Sequence, residues 1–216
     1  MRRLTKKEIA SYRLQLTSWL PLDDIDAIMA EVGNQTQMYA VAQGGLQFWR
    51  ETWIAMSCAQ LMHARRLKLG EDPPDFWLDL GGREQAFEIV QVMPRDYRPG
   101  DIYGRYAADL SSTGSTTFVD RSFDQVGVDL DNLPSDLAVQ LRAKCAKNYE
   151  RGMILVVDLL HDVILETDSG VVLNLVRVTR PALNNFDEVW LRRGNAIVRV
   201  TEESVSLVTN PLPTRG

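Results

Sequence analysis

Apolar residues recur at helical spacing near the start of the chain, over Thr5 to Trp19 and again over Pro21 to Val32. In the second stretch, Leu20-Pro21-Leu22-Asp23-Asp24 puts a proline and two acids at a helix head. A longer helix is predicted from about Leu46 to Leu69, with Gly70 as its cap. The period then changes. Phe76 to Leu80 is extended by composition, Gly81-Gly82-Arg83-Glu84-Gln85 carries turn chemistry, and Ala86-Phe87-Glu88-Ile89-Val90-Gln91-Val92-Met93 returns as a nearly continuous apolar run. Together they predict a hairpin whose second arm is buried on both faces.

From Pro94 to Asn132 the chain is rich in Gly, Ser, Thr and Asp without a sustained period, which predicts a long excursion with little regular structure. Ser135 is a good N-cap for a helix to about Arg151, closed by Gly152, with Leu137, Leu141, Cys145 and Tyr149 as its apolar arc. Met153 to Leu160 follows as an apolar strand, Val171 to Val178 is of undetermined type, and Phe186 to Leu191 pairs with Ala196 to Val200 about a turn at Arg192-Arg193-Gly194-Asn195. The order predicts an α/β fold, a central mixed sheet flanked by helices over residues 45–210, with a long insertion at about 94–133. Residues 1–44 form an N-terminal helical extension suited to packing or to a homodimer contact.

Composition narrows the class. A chain of 216 residues with 45% hydrophobic and 25% charged content can bury one full core. No apolar run approaches a membrane span, and Met1-Arg2-Arg3-Leu4-Thr5-Lys6 turns polar instead of entering a signal-peptide core, so a cytoplasmic protein without membrane contact is expected. Cys58 and Cys145 lie far apart inside predicted helices, which argues for reduced core residues. Net charge is -5 and the pI about 5.1, so any contact with nucleic acid must be local.

Two acids stand out. Asp75 follows two prolines directly, and Glu88 sits inside the apolar run, where an ionised carboxylate costs several kcal/mol unless a cation or donor set compensates it. If their segments are neighbouring strands, the two converge on one cation. Glu51 shares a helical stripe with Ala55, Cys58 and Met62, so it projects from an otherwise apolar strip; a partner such as Arg50 or Arg65 is the plainer account of it. In the insertion, Arg95, Tyr97, Arg98, Tyr103, Arg105 and Tyr106 interleave charge and rings able to contact phosphates and stack on bases; a solvated loop with its tyrosines folded back gives the same pattern. Asp158 and His161 have no marked nucleophile to serve, and no Walker A loop, dinucleotide fingerprint or metalloprotease helix occurs.

Pro74-Asp75, a short turn and Glu88-Ile89-Val90 resemble the signature of the PD-(D/E)XK phosphodiesterase superfamily, from Leu46 to Leu191. The departure is Val90, where that family usually has lysine. The resemblance implies a restriction-endonuclease-like core and metal-dependent hydrolysis of nucleic-acid phosphodiesters, DNA in preference to RNA. It implies Mg²⁺ or Mn²⁺ on Asp75, Glu88, the Ile89 carbonyl and Glu51, and catalysis by Asp75, Glu88 and a lysine that has migrated to the following helix. Lys144 is the candidate, with Lys147 behind it. Val90 also admits a nuclease-fold protein without catalysis that binds nucleic acid or a protein. A third class is an assembly module in which local arginines such as Arg83 satisfy the acids and the helix around Trp49 and Trp53 packs on a partner.

Overall fold

A computed structural model describes residues 2–209 apart from 72, 119, 120, 148 and 150; the expected domain end at 210 lies outside these. The N-terminal part holds four helices, α1 (Lys6–Leu16), α2 (Leu22–Thr36), α3 (Tyr39–Ala42) and α4 (Gln47–Leu61), with one short strand between the first two. Thr5 and Glu8 close a reciprocal capping box at the head of α1, fixing where the chain enters it. The strands are β1 (Leu20–Pro21), β2 (Arg66–Leu69), β3 (Phe76–Asp79), β4 (Glu84–Val92), β5 (Met153–Leu159), β6 (Glu188–Arg193), β7 (Ala196–Val200) and β8 (Val205–Thr209). Helices α5 (Pro99–Thr113) and α6 (Phe123–Cys145) join β4 to β5, and α7 (Ser169–Thr179) with a 3-10 turn (Arg180–Asn184) joins β5 to β6.

All eight strands lie in one mixed sheet in chain order. β4, β5 and β6 run parallel, and every other neighbouring pair is antiparallel. The long helical crossovers make the parallel pairing, as such connections require. Because side chains alternate across a strand, β4 sends Phe87 and Ile89 into one core and Ala86, Val90 and Val92 into the other. The first core is closed by α1, α2 and α4, with Phe76 stacked on Phe87 at 4.7 Å between ring centroids and Trp190 edge-on to Phe87 at 5.1 Å. Leu133, Leu137 and Leu141 of α6 and Leu175 of α7 close the second. This is the α/β fold with an N-terminal helical part.

Three expectations are corrected. The helix from Leu46 does not reach Leu69: it ends at Leu61, His63 takes a positive φ of 53°, and Arg66 to Leu69 is a strand. Arg66-Leu67-Lys68-Leu69 alternates with period 2, and the sheet buries Leu67 and Leu69. The insertion, expected to be irregular, carries α5 and the first half of α6. Gly114 closes α5 in the left-handed region at φ 72°, and Ser122 caps α6 in a box with Gln125. Helix α6 passes through Pro134, and Ser135, expected to cap it, instead donates its hydroxyl to the Asn132 carbonyl at 2.8 Å. Val171 to Val178 lies within α7, and Cys58 and Cys145 are free thiols. Among the described residues no helix is long and apolar enough to cross a membrane.

Candidate functional site

The backbone around Asp75 is held on both sides. Gly70, just past β2, donates its N–H to the Asp75 carbonyl at 2.9 Å, and a Cβ on Gly70 would stand 1.8 Å from the Pro74 carbonyl oxygen. Only glycine permits that approach. Asp75 donates its own N–H to the carbonyl of Phe87, the residue that Phe76 faces in the β3–β4 register, at 3.0 Å. Its carboxylate then takes over from the backbone, accepting the Ile89 N–H at 2.6 Å. In a strand a residue's carbonyl leaves on the same edge as its N–H, so the Ile89 carbonyl emerges on the Asp75 side.

Glu88 follows Phe87 on β4 and projects to the opposite face, 1% exposed. Two donors reach one oxygen, Oε1: Lys144 Nζ from the last turn of α6 at 2.5 Å and the Tyr149 hydroxyl at 2.9 Å. The other, Oε2, is buried without a hydrogen-bond partner among the described residues. The cation that compensates Glu88 is thus Lys144, not Arg83, which is exposed.

A cleft of about 300 Å³ opens beside these residues, lined by Asp75, Ile89, Glu51, Arg50, Lys144 and Lys147, with Gln47, Ile54 and Gln91 completing the wall. Glu88 is not in this lining; its partner Lys144 is. Glu51 takes Gln47 as partner at 2.6 Å, and not Arg50 or Arg65. The Asp75 carboxyl is pushed up to about 7 by burial first and by the Glu88 charge second, against the Ile89 N–H and Lys144, which pull it down; Glu51 adds to the rise. Three acids thus crowd one region electrostatically. Even so, no group of three His, Cys, Asp or Glu side chains among the described residues is gathered tightly enough to enclose a metal ion.

The interleaved segment divides. Arg95 is tied to α6, donating to Asp136 at 2.9 Å and to Ser135 at 3.1 Å. Arg98 stands at the head of α5 and Arg105 on its exposed surface. Tyr97 and Tyr103 line hollows beside the cleft, and Tyr103 meets Tyr106 edge-on at 5.9 Å.

One polar row escaped the sequence reading. Gln91 of β4, Asp158 of β5 and Arg192 of β6 stand in register across the three parallel strands. Gln91 Nε2 donates to Asp158 Oδ2 at 3.0 Å, while Arg192 donates to Asp158 Oδ1 and, at 2.8 Å, to Ser57 Oγ on α4. Asp158 carried the same signal as Glu88, an acid inside an apolar strand, but Arg192 was expected in a turn. Asp158 therefore serves Arg192 and not His161. Comparison with family models, with curated proteins and with solved structures finds no match to this chain.

Proposed function

We propose that the chain is a metal-dependent nuclease that hydrolyses nucleic-acid phosphodiester bonds at the Asp75 cleft, a divergent relative of the PD-(D/E)XK superfamily. The observation that carries this reading is the seat of Lys144. With Val90 where that family has lysine, an ammonium from α6 comes within 2.5 Å of the Glu88 carboxylate and lines the cleft that holds Asp75.

The residues suit Mg²⁺ or Mn²⁺, which prefer oxygen donors. Glu88 keeps a buried oxygen without a partner among the described residues, and Asp75 is crowded by like charge; a cation relieves both. Asp75, Glu88 and the Ile89 carbonyl would hold it, with Glu51 on the cleft wall. A divalent ion bound there supplies Lewis acidity toward water and offsets charge on the phosphoryl oxygens. The protein's own groups do the rest. Lys144 spends one donor on Glu88 and has two more with which to hold a water or a phosphate oxygen. Lys147 and Arg50 add positive charge for the phosphates.

One observation favours a second reading, a nuclease-fold protein that binds nucleic acid without cutting it: no three acids close around a common point among the described residues. The two separate in one experiment. Linear and circular DNA and RNA are incubated with Mg²⁺ or Mn²⁺ and wild type, Asp75→Asn, Glu88→Gln or Lys144→Ala. The nuclease reading expects cleavage that falls at least about a hundredfold in the two acid variants, more than loss of an outer-shell partner costs. Cleavage that persists in both removes the site, and wild-type rates in Lys144→Ala remove the lysine's role. Binding without any cleavage supports the second reading.

A further inference from the structure

The Asp75 cleft does not end at Gln91. It continues into a second hollow of about 370 Å³ at the C-terminal ends of β4, β5 and β6, sharing Arg50, Ile54 and Gln91 with the first. Such ends of parallel strands are where open α/β sheets receive ligands.

The walls are aromatic. Trp49 and Trp53, one turn apart on α4, stack at 5.9 Å between ring centroids, and Trp53 is 57% exposed although it faces a concavity. Tyr97 and Tyr103 stand in the same lining. Arg50 brings positive charge, Arg193 is ion-paired to Asp162 at 3.1 Å, and Arg192, itself 6% exposed, is fixed by Asp158 and Ser57 while its Nε has no partner among the described residues. Asp158 is the one acid in this lining, and Arg192 already engages it. Exposed ring faces beside guanidinium groups, with no free carboxylate between them, suit an anionic ligand that carries flat rings.

Nucleic acid meets that description, and the rings decide its form. A continuous duplex keeps base faces inside its own stack, out of reach of Trp53, whereas an unpaired base offers one. We propose that this hollow takes a base of a single strand, stacked on Trp53, and that the strand passes Arg50 into the Asp75 cleft. The substrate of the site is then a single strand or an unpaired end. This inference rests on the nuclease reading for what happens in the cleft, but not for the binding itself.

The test is fluorescence anisotropy without divalent metal, so that no strand is cut. The probes are a labelled oligothymidylate, the matching oligouridylate, and the oligothymidylate annealed to its complement. The proteins are wild type, Trp53→Ala and Trp53→Phe, whose exposed position keeps the fold out of the comparison. Single strands are expected to bind about tenfold or more tighter than duplex; Trp53→Ala should lose about tenfold on single strands, the low end for one stacked base, while Trp53→Phe retains most of it. The two single strands reveal which sugar is preferred. Equal affinity for duplex, wild-type affinity in Trp53→Ala, or no binding of any probe overturns the proposal. Cleavage lost in Asp75→Asn but unchanged in Trp53→Ala removes the groove and leaves the nuclease. Single-strand binding that depends on Trp53, in a protein that cuts nothing with Mg²⁺ or Mn²⁺, removes the nuclease and leaves the groove.

Discussion

Lys144 Nζ lies 2.5 Å from Glu88 Oε1, joining the last turn of α6 to the middle of β4 across 56 residues of sequence. The glutamate is 1% exposed and the lysine side chain 18%, so each depends on the other for its charge. Removing one partner of such a pair leaves an uncompensated buried ion, which costs about 3–5 kcal/mol, whereas replacing both is close to neutral. Lys144→Met alone is therefore expected to lose stability of that order in urea denaturation, and Glu88→Gln with Lys144→Met to recover most of it. A single variant within about 1 kcal/mol of wild type would contradict a buried ion pair here.

Asp75 gives the apo protein a pH dependence of definite sign. Its carboxyl is raised to about 7 in the folded chain, against about 4 when unfolded. Between those values the folded state keeps a proton that the unfolded chain has released. Stability from this group is therefore greatest below pH 4, falls as pH rises toward 7, and is level above it. Asp75→Asn removes that slope and still leaves an oxygen to accept the Ile89 N–H. The variant should gain roughly 1–4 kcal/mol over wild type at pH 8 and little at pH 4, since each tenfold difference in proton affinity between folded and unfolded chain is worth about 1.4 kcal/mol. Equal urea midpoints for the two proteins at both pH values would show that Asp75 is not held in this way.

Gly70 sets the position of Asp75 by its N–H to the Asp75 carbonyl and by the space its missing Cβ leaves. Its φ does not lie in the left-handed region, so alanine is not strained by backbone conformation; the obstacle is the Pro74 carbonyl, 1.8 Å from where a Cβ would sit. Gly70→Ala must push Pro74-Asp75 away from β2, at a cost of about 1–3 kcal/mol, typical of an overpacked site. The expected readouts are a lowered urea midpoint and loss of the protection that hydrogen exchange should find at the Ile89 amide, which Asp75 accepts. Protection equal to wild type would show that the strand end absorbs the extra carbon without moving Asp75.

By itself the amino-acid sequence determined the elements whose signals are local. The β3–β4 hairpin with its glycine turn, β5, apolar but for Asp158, and β7 from Ala196 to Val200 follow from period-2 alternation, turn residues and continuous apolar runs. The same reasoning singled out Asp75 and Glu88, because an acid beside apolar strand residues needs a reason to be there. Strand β2 was hidden because Leu69 falls on the helical stripe of Glu51, Ala55, Cys58 and Met62 and Gly70 follows it as an apparent cap. Helix α5 was hidden by Gly100, Gly104 and a Ser/Thr run; it is held as a helix by packing against α3, where Gly104 faces Ala42. Only the tertiary structure decided what the two acids meet. Parallel pairing of β4, β5 and β6 puts Gln91, Asp158 and Arg192 in one row, and the crossover through α6 brings Lys144 and Tyr149 to Glu88. Those contacts join segments tens of residues apart, and their register is set by burial of both sheet faces at once, a condition no local stretch of sequence expresses.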